Sequence, residues 1–123
     1  MIGRLTLIAL TGAASVAATA ALAAPDAARG PLLIGTTGPD PVITLKHRGK
    51  RVTTLKPGKY RIRVYDREYS HDFHLRGPRM NKMITSTLFV GAKLVTITLR
   101  KGRYEYYCAP HYFSGMNGKF AVR

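Results

Sequence analysis

From residue 32 onward, short apolar runs return about every ten residues, and glycine or proline marks most of the gaps between them. The runs are residues 32–37, 42–46, 60–65, 73–76, 84–90, 94–99, 104–108 and 119–122. Their breaks are Gly38-Pro39-Asp40-Pro41, Pro57-Gly58, Gly77-Pro78, Gly91, Lys101-Gly102 and Gly115. β-branched and aromatic runs between turn formers at this spacing specify short strands, and no window beyond the first segment holds a 3.6-residue apolar period. The expected fold is all-β, a Greek-key β-sandwich of about seven or eight strands. Alternation sharpens two of them. Tyr60, Ile62 and Val64 share one face against Arg61 and Arg63, and Val95, Ile97 and Leu99 oppose Thr96 and Thr98. Leu55-Lys56-Pro57-Gly58-Lys59-Tyr60 is echoed by Leu99-Arg100-Lys101-Gly102-Arg103-Tyr104. Each echo reads equally as a tyrosine corner or as a recurrent hairpin turn.

Ahead of the strands, residues 5–24 carry no charge and follow a single basic side chain, Arg4. The stretch ends in Ala21-Leu22-Ala23 before Pro25, the small-x-small pattern of a signal-peptidase site. Twenty uncharged residues could also span a bilayer, but nine of these are alanine, which inserts weakly. The expected organisation is an export signal over 1–23, a flexible segment over 24–31 and one domain over 32–123. Cleavage leaves no membrane span and places the domain in the periplasm or outside the cell. A domain of this size buries enough surface for one core without staples.

The chain has 20 Lys and Arg against 6 Asp and Glu, a formal charge of +14, and a single cysteine, Cys108. One cysteine makes no internal disulfide, and an unpaired thiol in an oxidising compartment needs an occupant. The charge suggests an anionic partner. The cations lie on turns and outer strand faces without a groove-reading motif, so a solvated basic surface is expected rather than a module for nucleic acid or anionic lipid.

Cys108, His111 and Met116 fall within nine residues, on the loop between two expected strands, and Ser70-His71-Asp72-Phe73-His74-Leu75 opens an earlier one. A thiolate, two imidazoles and a distant thioether form the trigonal set with a weak axial ligand that suits copper. From the strand that His71 opens, the chain passes through three more before the loop. If successive strands reverse, the start of the first and the finish of the fourth meet at one end. His71 and His74 compete for the upstream place. Alternation puts His71 with Phe73 and Leu75 on the apolar face and His74 with Asp72 and Arg76 on the other, which favours His71. His47, in a charged turn, reads as surface.

The segment from Tyr104 to Lys119, Tyr-x-Tyr-Tyr-Cys-x-Pro-His-x₄-Met-x-Gly-Lys, resembles the ligand loop of plastocyanin-type cupredoxins, and His71-Asp72-Phe73 resembles their first ligand. The likeness covers residues 42–123 best and is weak before residue 32. It implies one copper ion cycling between Cu(I) and Cu(II), held by His71, Cys108, His111 and Met116. It also implies a one-electron carrier rather than an enzyme, since a closed ligand set leaves no place for substrate. Pro110 removes a backbone N–H near the sulfur, which favours Cu(I). Asp72 stands where the family usually has Asn; it accepts but does not donate, and its charge favours Cu(II). Tyr112 and Phe113 flank His111 as a docking surface or as loop packing. Tyr107, resembling an electron-entry residue, is expected to face outward. The expected partner is an acidic redox protein steered by the basic surface, with the chain itself a monomer. The alternative is copper delivery, storage or resistance, with Met80, Met83 and His74 as further soft ligands, although a mobile turn over 77–82 is the plainer reading of the methionines.

Overall fold

The computed structural model describes Gly3, residues 8–18 and residues 29–123. About half of the export segment expected over 1–23, and residues 24–28 of the flexible segment expected over 24–31, lie outside the described residues. The end of the latter that is described is tied down. Gly30 O accepts from Arg61 Nε at 3.1 Å, and Pro31 O accepts from the Arg61 N–H at 2.9 Å. Among the described residues no helix is long and apolar enough to cross a membrane.

The described residues hold ten strands: β1 (Leu32–Thr37), β2 (Ile43–His47), β3 (Lys50–Arg51), β4 (Thr54–Leu55), β5 (Gly58–Asp66), β6 (Phe73–Gly77), β7 (Met80–Thr85), β8 (Gly91–Leu99), β9 (Gly102–Tyr107) and β10 (Asn117–Val122). They form two five-stranded sheets, ordered β3-β2-β1-β5-β8 and β4-β10-β9-β6-β7. Both sheets are mixed, because β1 runs parallel to β5 and β10 parallel to β4. The fold is the expected all-β sandwich, with two strands more than the apolar runs suggested. These are β3 and β4, two residues each, too short and too polar to leave a pattern.

Alternation explains the core. Tyr60, Ile62 and Val64 of β5, Phe73 and Leu75 of β6, Ile97 and Leu99 of β8, and Tyr104 and Tyr106 of β9 all point between the sheets and are buried. Full burial of such side chains contributes roughly 1.5–3 kcal/mol each. One expected strand is displaced. Residues 84–90 look like a strand, but only Ile84 and Thr85 belong to β7, and Leu88 is exposed. The reason is the hairpin before them. Gly77 pairs with Met80, so the chain reverses at Pro78-Arg79 and β7 starts four residues early, with no long 77–82 turn. Residues 86–90 are left as a loop.

Both echoed turns are tyrosine corners. Tyr60 Oη donates to Lys56 O at 2.7 Å, and Tyr104 Oη donates to Arg100 O at 2.9 Å while accepting the Arg100 N–H at 2.9 Å. The corners and the turn at Pro78-Arg79 lie at one end of the sandwich. The other end gathers the loops 38–42, 67–72, 86–90 and 108–116.

Candidate metal centre

His71 and Cys108 meet because β6 and β9 are antiparallel neighbours, with His74 opposite Tyr107 and Leu75 opposite Tyr106. His71 precedes the first strand and Cys108 follows the second, so both emerge at the same end. The loop after Cys108 is closed by its own backbone. Cys108 N–H donates to Met116 O at 3.0 Å and Met116 N–H donates to His111 O at 3.2 Å. Between them a 3₁₀ turn, Tyr112–Ser114, ends on Gly115 at φ +93°, a left-handed position that favours glycine. These bonds hold Cys108, His111 and Met116 as one unit. Met116 is fully buried in the core cluster, so the residue expected as a weak axial ligand sits inside the sandwich rather than on the loop's outer face.

Three donor atoms converge. His71 Nδ1 lies 3.2 Å from His111 Nδ1, and Cys108 Sγ lies 3.7 Å and 3.6 Å from those two nitrogens. Among the described residues this is the one cluster of three or more His, Cys, Asp or Glu side chains that could hold a metal. The other nitrogen of His71 settles its tautomer. Nε2 faces Pro39 O at 3.2 Å, and a carbonyl only accepts, so Nε2 carries the proton. Nδ1 is then a bare lone pair aimed at a second imidazole, an arrangement that a cation between them relieves. Donation of the outer N–H to a carbonyl is how metal-bound histidines are held. The point equidistant from the three atoms lies about 2.0 Å from each, close to the ~2.0–2.3 Å of transition-metal bonds to imidazole and thiolate. The residues therefore fit the ion that the donor set suggests.

The surroundings hold this geometry. Gly38, at φ +73°, packs on the His71 ring, and a Cβ there would stand 2.7 Å from Cδ2. Asp72 is buried, and both its oxygens accept: Oδ1 from the Ala109 N–H at 2.7 Å, Oδ2 from His74 Nε2 at 3.0 Å. It thus ties the His71 strand to the Cys108 loop by accepting alone, as an aspartate must. Burial pushes the Cys108 thiol up, against the backbone N–H groups of Asp72 and His111 that pull it down. Pro110 is exposed on the loop.

His74 is outside the cluster, as alternation indicated, but it is half-buried and stacks on Tyr107 at 4.8 Å. Tyr107 departs from expectation. It does lie on the outer face of β9, yet it is only 9% exposed, because His74 stacks on it and Arg76 sits 4.5 Å over its ring. Phe113 is fully exposed, and Tyr112 half-buried. Sequence reasoning missed the clamp that covers Tyr107. Arg76 pairs with the buried Glu105, whose other oxygen accepts from Tyr112 Oη at 3.1 Å. The shared outward parity of His74, Arg76, Glu105 and Tyr107 was the available signal. Met80 lies at the opposite end of the hairpin from His71, and Met83 is exposed opposite His74.

This sandwich carries at one end a Cys-His₂ cluster, two of its three members buried, whose donor set suits one copper ion. A family model described as copper-binding proteins of the plastocyanin/azurin family matches residues 65–123. Among solved structures, rusticyanin aligns at TM-score 0.58 with 17% identity over 77% of this chain and 78% of that one. Its reduced form aligns at 0.54 with 20% identity over 77% and 80%. The Thiobacillus ferrooxidans protein aligns at 0.50 with 20% identity over 77% and 78%. No curated protein matches the chain. The family match over residues 65–123, the shared fold and the Cys-His₂ donor set together support a cupredoxin with one copper ion as its cofactor.

Proposed function

We propose that the protein is an exported one-electron carrier, working in the periplasm or outside the cell, rather than an enzyme. His71 Nδ1, His111 Nδ1 and Cys108 Sγ would hold the copper, and the Met116 thioether would add a weaker donor. The ion supplies a Cu(II)/Cu(I) couple that gains and loses one electron. The observation that carries this reading is the pair of facing Nδ1 atoms beside a buried thiol, positioned by the protein's own backbone bonds and by Pro39 O. A ligand cage fixed in advance reorganises little between the two oxidation states, which favours fast exchange. The chain's own residues do the rest. Burial of Cys108 and Met116 keeps water from the sulfur donors. Half-exposed His111, beside fully exposed Phe113, gives the site one edge at the surface. That edge is apolar, with Tyr69, Leu88 and Phe113 exposed on the surrounding loops, and is the face offered to a redox partner. Asp72 and Pro110 tune the sulfur environment in opposite directions.

The test is addition of Cu(II) to the purified chain, read by the intense blue thiolate-to-copper absorption and by voltammetry. Blue colour with a reversible one-electron wave supports the carrier. A colourless protein overturns the site. Cu(I) hand-off to a chelating acceptor, without electron exchange, turns the reading to copper delivery.

A further inference from the structure

Along the sequence the cations look dispersed, but in the fold three basic turns meet at the end opposite the metal centre. Gly58 pairs with Leu99, which sets the turn holding Lys56 and Lys59 beside the turn holding Arg100, Lys101 and Arg103. Gly102 lies directly against the Pro78 ring, which adds Arg79. All six cations are exposed, and among the described residues none is in an ion pair. No Asp or Glu lies in these turns. An open groove of about 470 Å³ runs between the last two, lined by Arg79, Lys82 and Arg100. The two tyrosine corners fasten the turns that carry five of the six charges, so the charges are displayed on fixed backbone. The end is also free of exposed large apolar side chains, so whatever it attracts is held by charge alone.

The opposite end is the reverse. Arg67 is the one Lys or Arg in its four loops, against exposed Asp40 and Glu68. The length of β5 separates the two ends by roughly 25 Å at ~3.3 Å per residue. Electron exchange falls steeply with distance through protein, so a redox partner docked on the basic end would gain nothing from the copper. The basic end therefore suits an anionic surface that takes no part in the chemistry. Rigid turns drawn from both sheets spread the charges over a broad patch around the open groove, which matches a field of phosphates better than one acidic segment.

We propose that the end formed by residues 56–59, 78–79 and 100–103 is an attachment surface for an anionic phospholipid bilayer, which leaves the metal end directed away from the membrane. Basic side chains near such a surface each contribute about 1 kcal/mol, or about fivefold in affinity, and the attraction fades within a Debye length. The copper-loaded full chain is sedimented with phosphatidylcholine vesicles, with and without phosphatidylglycerol, at low and high salt. Salt-sensitive binding that needs phosphatidylglycerol is expected. The triple variant Lys56→Glu, Lys59→Glu, Lys101→Glu should lose about a hundredfold or more in affinity. A control triple with the same net charge, Lys46→Glu, Lys93→Glu, Lys119→Glu, on strands β2, β8 and β10, should lose tenfold at most. Unchanged blue absorption in both triples shows that they fold. Equal losses in the two triples would mean that net charge, not this end, governs binding, and would overturn the proposal. So would equal binding to neutral vesicles, or binding to soluble polyglutamate in preference to vesicles.

Discussion

The two ends of the sandwich are built from the same strands and do opposite things with them. At the metal end the loops are long, apolar and nearly free of cations, and they are held by backbone bonds and by Asp72 reaching across to Ala109. At the other end the turns are short, basic and held by two tyrosine hydroxyls. One end gathers two imidazole nitrogens and a buried thiol close enough for one metal ion to bridge; the other displays exposed cations that an anionic surface can meet. The lesson is that a rigid sheet lets each end be specified separately. Changes at one should leave the other untouched, and that separation can be attacked experimentally.

The hardest blow falls on the cluster. Cys108→Ser should abolish the blue absorption entirely, because the band belongs to the thiolate. The vesicle-binding end should be unaffected. His71→Ala should also remove the band, whereas His74→Ala should retain it. Loss of colour on changing His74 but not His71 would reverse the assignment that the 3.2 Å contact between Nδ1 atoms supports.

Next is the pH dependence of loading. Burial holds the Cys108 thiol above its ordinary range, so metal-free protein at neutral pH carries the proton, and the metal must displace it. Apparent affinity should therefore rise with pH, by about tenfold per unit from this group, until the thiol ionises by itself. Proton release on copper addition, followed with an indicator dye, should approach one proton from Cys108 below that point. The same shift bears on the metal-free fold. A raised thiol favours the folded state below the unfolded thiol's range, and that contribution is lost as pH climbs through the folded value. The basic end, whose cations stay charged throughout, should show no matching trend.

Much of this division could be read along the chain, and the exceptions have physical causes. Spacing alone located Cys108, His111 and Met116, because a three-ligand loop leaves a local imprint. Period-two alternation separated His71 from His74, because the two faces of a strand differ in burial. The place of β7 was not legible. A hairpin turn at Pro78-Arg79 and a turn at Pro57-Gly58 that crosses between the sheets look alike in composition, and the apolar run 84–90 mixes strand with exposed loop. The cover over Tyr107 and the gathering of the basic turns were also hidden. Both depend on which residues become neighbours across strands, a matter of register and not of local pattern. The Pro39 carbonyl that fixes the His71 tautomer is a backbone atom, and no side-chain motif announces it.

A milder perturbation is Gly38→Ala. The added methyl would meet the His71 ring at 2.7 Å, on backbone at φ +73° that non-glycine residues adopt at a cost. The expected loss is about 1–3 kcal/mol in denaturant unfolding, together with an altered copper spectrum, since the ring must move. A loss of stability with an unchanged spectrum would show that the ring is held by something other than this loop.

The smallest effects belong to the corners, and they test the separation from the opposite side. Tyr60→Phe removes one hydroxyl that donates to Lys56 O and should cost about 1 kcal/mol. Tyr104→Phe should cost more, toward about 2 kcal/mol, because its hydroxyl both donates to Arg100 O and accepts the Arg100 N–H, so both backbone groups lose a partner. The corners lie in different sheets, so the double variant should lose close to the sum of the two. The blue absorption should not shift in any of the three, because no corner residue touches the cluster. A shift would mean that the strands transmit strain along their full length, and the two ends would then have to be treated as one device.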